Sequence, residues 1–259
     1  MSFSPDPGSS DPISLSPARR QMPLSGGDLL LLLIFGLGAV RVVAAFFVAS
    51  LGVTGPNVEP DGNRILIFTM LLLVAQTAAI LATVHFLAIR KHGLSWADVG
   101  LRPADSRWYI RAVVIGGFMV PVVALVNYLV GQIEGQPFEN PQIYAIAPAG
   151  FSWMGMILMI VLAGALAPIA EEIAFRGVFF PWLRERIGLA AGVAISALTF
   201  ASVHGVLQLM PSLAVIGAVL AVLYHRCGSL YPVIVAHGVF NTIMIVALYS
   251  ALAGTMTAP

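Results

Sequence analysis

Apolar residues in this chain form long, nearly uninterrupted runs, and the short segments between the runs hold most of the charged residues. A membrane-spanning helix needs about 20 predominantly apolar residues. Seven runs of suitable character occur, over residues 29–51, 65–89, 110–130, 151–183, 189–203, 207–223 and 230–252. The pattern therefore predicts an all-α fold, a polytopic bundle of about seven transmembrane helices.

The composition agrees with this prediction. Of the 259 residues, 59% are hydrophobic and only 10% are charged, and the mean hydropathy is +0.93. A soluble domain carries about 25% charged residues, so the lipid bilayer is the expected solvent of this chain. The formal net charge of +1 provides no basic field for phosphates, and nucleic acid is not an expected partner.

The positions of lysine and arginine predict the orientation of the bundle, because cytoplasmic loops are enriched in these residues. The basic residues cluster in the N-terminal tail and in the segments that follow the second, fourth and sixth runs, whereas the alternate segments are acidic or uncharged. The alternation is unbroken. We therefore expect the N-terminus in the cytoplasm and the C-terminus outside.

Three regions are predicted along the chain. Residues 1–28 are rich in Ser, Pro, Gly and Asp, which is typical of a disordered cytoplasmic tail. Residues 29–145 hold the N-terminal membrane helices and a cytoplasmic segment near 91–109, which is either an interfacial segment or an ordinary polar loop. Residues 151–252 form the membrane core that carries the candidate chemistry.

Among the ionisable side chains within the predicted spans or at their ends, five stand out, namely Glu171, Glu172, Arg176, His204 and His237. Such a group costs about 3 kcal/mol on insertion scales and by default indicates a functional site. Counted from the predicted helix ends at 1.5 Å per residue, the three most informative groups, Glu171, His204 and His237, lie roughly 18, 24 and 14 Å deep. We therefore expect them to meet near the middle of the membrane.

Helix periodicity separates the roles of the two glutamates. Glu172 and Arg176 are four residues apart and share a helix face, so they can pair. Glu171 is turned about 100° from Glu172 and is the carboxylate that can face a cavity. His237 and Asn241 are also four apart and share a face. A carboxylate with imidazole and amide donors can activate water and bind the oxyanion that forms.

A metal site is the mechanistic alternative. Two histidines and one carboxylate could bind zinc with water in the fourth position. The chain has no HExxH motif, in which two ligands one helical turn apart preset the geometry. The sequence therefore predicts a site without cofactor, and zinc is kept as the alternative.

The same residues resemble a family. The run Glu171-Glu172-Ile-Ala-Phe-Arg176 matches the EExxxR signature of the CPBP family, the CAAX prenyl endopeptidase and bacteriocin-processing (ABI) proteins. Phe200-Ala-Ser-Val-His204 resembles its FxxxH motif, and His237-Gly-Val-Phe-Asn241 its HxxxN motif. The resemblance covers residues 151–252.

The resemblance implies a glutamate-dependent intramembrane endopeptidase of the bacterial cytoplasmic membrane, acting on a membrane-associated or lipid-modified protein or peptide. It implies that Glu171 is the general base, assisted by His204, and that His237 and Asn241 form the oxyanion hole. Glu172 and Arg176 would hold the site together.

A purely structural role is the alternative interpretation of the same residues. The two histidines could be hydrogen-bonded bundle residues, and Asn241 could serve as interhelical glue. A non-catalytic membrane immunity, scaffold or transport protein that uses the polar cluster for binding is the alternative function. The oligomeric state is not predicted.

Overall fold

The structure is a computed structural model that describes residues 21–40, 42, 45 and 61–256. The described ranges are helical, with loops between the helices. The helices are α1 (Gly26–Gly38), α2 (Gly62–Lys91), α3 (Ser106–Glu134), α4 (Ile143–Ile146), α5 (Trp153–Ile187), α6 (Leu189–Ser202), α7 (Leu207–Cys227) and α8 (Leu230–Met256).

Five of these helices, α2, α3, α5, α7 and α8, are long and apolar enough to cross a membrane, and α1 and α6 are shorter apolar helices. The predicted fold class, an all-α polytopic bundle in the membrane, is therefore confirmed. The first predicted span, 29–51, lies partly outside the described residues. The predicted orientation stays a prediction.

Helix α6 is too short to cross the bilayer alone. It has 14 residues and is therefore about 21 Å long, whereas the hydrocarbon core is about 30 Å thick. Gly205, with a φ of +70°, follows in the connection to α7. Non-helical backbone at membrane depth is tolerated where it is buried in protein or lines a cavity, and His204 does line one.

Helix α5 is not a uniform α-helix, since it contains two π-helical stretches, Ile160–Leu166 and Ile173–Phe179. At the first stretch the Ala167 N–H donates to the Leu162 carbonyl, five residues back. In that register the next donor would be Pro168, which has no N–H. The Ala163 carbonyl therefore needs a partner from another helix. Such π-turns are frequent at functional sites.

Glycines let α8 approach its neighbours closely. A Cβ on Gly238 would lie 2.8 Å from the Gly164 carbonyl oxygen in α5, and one on Gly116 of α3 would lie 2.6 Å from the Ala236 carbonyl oxygen. Both distances are shorter than real Cβ contacts. These two crossings fix α8 on either side of His237.

The segment before α1 is packed against the bundle. Met22 and Leu24 are buried, the Met22 N–H donates to the Glu185 carboxylate, and the Trp182 indole N–H donates to the Leu24 carbonyl at 2.8 Å. Asp28 is buried as well. Residues 1–20 of the predicted tail lie outside the described residues, but packed chain begins before the predicted boundary at residue 28, because these backbone groups find partners on α5.

The connection between α2 and α3 closes one end of the bundle. The Leu230 N–H donates to the Gly100 carbonyl and the Arg102 Nε–H to the Gly228 carbonyl, both at 2.8 Å. Asp105 caps the start of α3, and hydrogen bonds from Arg107 lower the pKa of Asp105 to about 2. The segment predicted near 91–109 is therefore attached to the ends of α7 and α8.

Candidate active site

A buried ion pair joins Glu172, the last residue before the second π-helical stretch of α5, to Arg176 within that stretch. Arg176 Nη1 donates to Glu172 Oε1 at 2.9 Å, and Arg176 Nη2 donates to the Gly217 carbonyl of α7 at 2.9 Å. Both side chains are fully buried. The pairing expected from the four-residue spacing is present, and Arg176 in addition links α5 to α7.

His237 lies between the two glutamates. Its Nδ1 is 2.7 Å from Glu172 Oε1, and its Nε2 is 4.0 Å from Glu171 Oε2. Because a carboxylate oxygen accepts, Nδ1–H is the donor to Glu172. The Nε2 atom therefore points to Glu171, and the tautomer and orientation of the ring are set by Glu172.

Glu171 faces a cavity and Glu172 does not. The cavity has a volume of about 490 Å³, and its lining includes Glu171, His204, His237 and Asn241. The Glu171 side chain is 19% exposed, whereas that of Glu172 is 0% exposed. The division of the two carboxylates expected from helix phase is therefore present: one opens to the cavity, and the other is sealed in an ion pair behind it.

Phe200 separates the two imidazoles. Its ring centroid is 4.8 Å from that of His204 and 5.9 Å from that of His237, and the Arg176 guanidinium carbon lies 4.6 Å from the same ring. His204 Nδ1–H donates to the Phe200 carbonyl at 2.7 Å. In the neutral ring this leaves Nε2 as the acceptor nitrogen. Phe200 therefore positions both histidines.

Asn241 connects α8 to the π-turn in α5. Its Nδ2 donates to the Ala163 carbonyl at 2.8 Å, which is the carbonyl deprived of its helical donor by the π register and Pro168. A carboxamide nitrogen carries two N–H groups, so one satisfies Ala163 and the other remains for further bonding. Asn241 therefore satisfies a buried backbone group as well as lining the cavity.

All six residues expected from the sequence are brought together by α5, α8 and the turn that follows α6. Three further participants were given no role from the sequence: the side chain of Phe200, which was noted only as the first residue of the FxxxH motif, the Gly217 carbonyl and the Ala163 carbonyl. Phe200 carried a signal, because it lies four residues before His204. The two carbonyls had no signal in the sequence, because every residue has a backbone carbonyl. Only the way in which the helices cross determines that these two are used.

Glu171, His204 and His237 are also the candidate metal ligands expected from the sequence. Among the residues that the structure describes, no three His, Cys, Asp or Glu side chains are grouped so that they could hold a metal ion. His237 Nδ1 is hydrogen-bonded to Glu172, and His204 Nδ1 is hydrogen-bonded to the Phe200 carbonyl. A site without cofactor stays a prediction.

Comparison with known proteins supports the resemblance. Residues 152–243 match the type II CAAX prenyl endopeptidase Rce1-like family, and this range contains all six site residues. A curated relative, "Putative membrane peptidase YdiL" of Bacillus subtilis, is 30% identical over 140 residues, which cover 54% of this chain and 54% of the relative. The chain thus matches about half the length of this relative. No solved structure matches the chain.

The matched range coincides with the helices that build the site, and the relative is likewise a membrane protein by its name. Over residues 152–243 the chain is therefore similar to the Rce1-like family, and this match supports the resemblance to the CPBP family.

Proposed function

We propose that this protein is an intramembrane endopeptidase that hydrolyses a peptide bond in a membrane-associated or lipid-modified protein or peptide. The observation that carries the proposal is the pairing of a cavity-facing carboxylate, Glu171, with His237, whose ring is held by a second, fully buried carboxylate. The match of residues 152–243 to the Rce1-like family and the name of the relative support the same activity.

The chemistry begins with water. The Glu171 carboxylate accepts a proton from water as the water oxygen bonds to the substrate carbonyl carbon. His204 Nε2 accepts a hydrogen bond from the same water and so helps to orient it. The carbonyl π electrons move to oxygen, and a tetrahedral oxyanion forms.

The oxyanion needs donors, and α8 offers two. The second N–H of Asn241 is one. His237 can donate from Nε2 when the ring carries both protons, since its Nδ1–H is already directed to Glu172. Preorganised donors in a site that excludes water stabilise such charge strongly. Glu171 then returns its proton to the leaving nitrogen, the C–N bond breaks, and a carboxylic acid and an amine result.

The remaining residues position these groups. The Glu172–Arg176 pair is anchored to α7 through the Gly217 carbonyl, and Glu172 orients His237. This arrangement supports a structural role for Glu172 and a catalytic role for Glu171, although the two are adjacent in sequence.

The test compares new peptide termini in cells that express the wild-type protein or Glu171→Gln. We expect a set of termini that requires Glu171, and a fall of at least 100-fold in their formation in the variant, from the loss of a general base. Glu139→Gln, which changes an exposed carboxylate in the loop after α3, is the matched control and should cleave like wild type.

The non-catalytic alternative makes the opposite prediction. If the polar cluster only binds a ligand or partner, the cellular phenotype of the protein should survive the combined loss of Glu171 and His204, and no termini should depend on Glu171. Retention of cleavage in Glu171→Gln would also end the proposal.

A further inference from the structure

We infer that the substrate reaches this site from the non-cytoplasmic side of the membrane, as an uncharged, extended peptide segment. The inference rests on the proposed peptidase function, and it adds the side from which the site is approached and the chemical class of the substrate. Three independent features of the described residues carry it: where the cavity leads, what closes the other direction, and where the charges lie.

Among the described residues, the lining of the cavity leads from Glu171 towards one face of the bundle. Its lining continues through Asn127 of α3 and Ser212 of α7, whose side chains are hydrogen-bonded to each other, to Asn140 and Gln142 in the connection between α3 and α5. None of its lining residues comes from the opposite connections, α2–α3, α5–α6 or α7–α8. The site is therefore continuous with the face that carries the segment 135–152.

Short helix α4 forms the outer wall of the cavity. The buried side chain of Tyr249 in α8 donates its hydroxyl to the Ile146 carbonyl at 2.9 Å, and Ala145 beside it lines the cavity and is exposed. Helix α6 ends at Ser202, and His204, two residues later, also lines the cavity. We therefore place the mouth between α4 and the end of α6.

Tight packing closes the other direction. Every residue from 173 to 180, directly after the two glutamates, is buried, so α5 is enclosed on all sides there. A Cβ on Gly177 would lie 2.7 Å from a Val99 methyl and 2.8 Å from the Val99 carbonyl oxygen. Gly100, with a φ of +111°, packs equally closely on Tyr224. Together with the buried Glu172–Arg176 pair, this packing separates Glu171 from that face among the residues that the structure describes.

The charges identify the closed face as cytoplasmic. Basic side chains on its connections are Arg90, Lys91, Arg102, Arg107, Arg184, Arg186 and Arg226. The segment 135–152 on the open face carries no Lys or Arg and one carboxylate, Glu139. Since lysine and arginine are retained in the cytoplasm, the open face lies outside.

The cavity lining indicates the substrate chemistry. Its described lining contains no Lys or Arg and one carboxylate, Glu171, whereas amide and hydroxyl groups of Asn127, Asn140, Gln142 and Ser212 lie along the path. A charged side chain or a free terminal carboxylate on this path would be buried among neutral groups, which is costly. The neutral amides and hydroxyls suit the backbone N–H and C=O groups of an extended chain.

The orientation of the protein in the membrane is tested by cysteine labelling, which does not depend on activity. In a Cys227→Ser background, single cysteines are introduced as Ala97→Cys on the closed face and Glu139→Cys on the open face, both at exposed positions. A sulfonated, membrane-impermeant maleimide should label Glu139→Cys in intact cells and Ala97→Cys only after lysis. The reverse pattern would overturn the inference.

The approach route is tested at the mouth. A bulky impermeant maleimide added to intact cells should lower the formation of Glu171-dependent termini severalfold in Ala145→Cys cells and leave it unchanged in Glu139→Cys cells. For each variant, the formation of termini after labelling is compared with that of the same variant before labelling. Unchanged cleavage after complete labelling of Ala145→Cys would contradict access between α4 and α6.

The positions of the cleaved bonds test the substrate class. The termini that require Glu171 should map to uncharged segments of exported proteins or to the non-cytoplasmic halves of membrane spans. Cleavage at cytoplasmic C-terminal tails would overturn the inference. If no termini require Glu171, the proposed function fails, while the labelling pattern still decides the orientation.

Discussion

His237 Nδ1 lies 2.7 Å from Glu172 Oε1, and the same oxygen accepts from Arg176 Nη1 at 2.9 Å. One carboxylate oxygen thus holds a guanidinium four residues away and an imidazole 65 residues away. Glu171, the neighbouring residue, faces the cavity, and its Oε2 lies 4.0 Å from His237 Nε2. The two adjacent glutamates therefore differ in environment, and substitutions should separate them.

Glu172→Gln should destabilise the protein, whereas Glu171→Gln should not. A glutamine at 172 would leave the fully buried Arg176 without a counter-charge, and breaking a buried pair in this way costs about 3–5 kcal/mol. Glu171 is partly exposed and makes no ion pair with Arg176, so its replacement should lower the free energy of unfolding only slightly. Thermal unfolding of the purified variants in detergent measures the difference.

Equal melting temperatures for the two variants would contradict this division. Glu172→Gln combined with Arg176→Met is the matched control. Because it removes both charges, it should recover part of the stability without recovering activity.

Asn241→Asp should reduce both activity and stability. An ionised aspartate has the same size but no N–H, so it cannot donate to the Ala163 carbonyl, and an unsatisfied buried carbonyl costs about 1–3 kcal/mol. Asn241→Ser, which retains a donor, should be less destabilising. Unfolding measurements and cleavage rates of both variants check this expectation. A fully stable, fully active Asn241→Asp protein would contradict it.

Gly116→Ala should lower stability and cleavage, while its neighbour Gly117→Ala should not. A Cβ at 116 would lie 2.6 Å from the Ala236 carbonyl oxygen, whereas no atom lies within 4 Å of one at 117. Overpacking of this kind costs about 1–3 kcal/mol, and it would displace α8 beside His237. Alanine in a helix is favoured over glycine by roughly 1 kcal/mol, so Gly117→Ala should be neutral or stabilising.

Cleavage should survive removal of divalent metals. The ring of His237 is held by Glu172, and among the described residues no three metal-binding side chains are grouped. We expect protein dialysed against a strong chelator to keep its cleavage rate, with metal content measured on the same sample. Loss of activity that zinc restores would instead favour the alternative in which Glu171, His204 and His237 are ligands.

The sequence alone was sufficient for the properties that depend on local periodicity. Run length predicted the membrane helices, because the thickness of the bilayer sets how many apolar residues a span needs. The spacing of Glu172 and Arg176 predicted their pair, and the angle between Glu171 and Glu172 predicted which of them faces the cavity. These relationships lie within one helix, where 3.6 residues per turn determine the geometry.

Tertiary structure decided the rest, since it depends on how distant helices cross. The bond between His237 and Glu172, the contact of Asn241 with Ala163 and the placement of Phe200 between two imidazoles join residues that no local period relates. Close packing at Gly116 and Gly238 selects these partners. Composition predicted a disordered tail over residues 1–28, of which the structure describes residues 21–28. There Met22 and Leu24 pack against α5, because the partners of their backbone groups are the side chains of Glu185 and Trp182 on that distant helix.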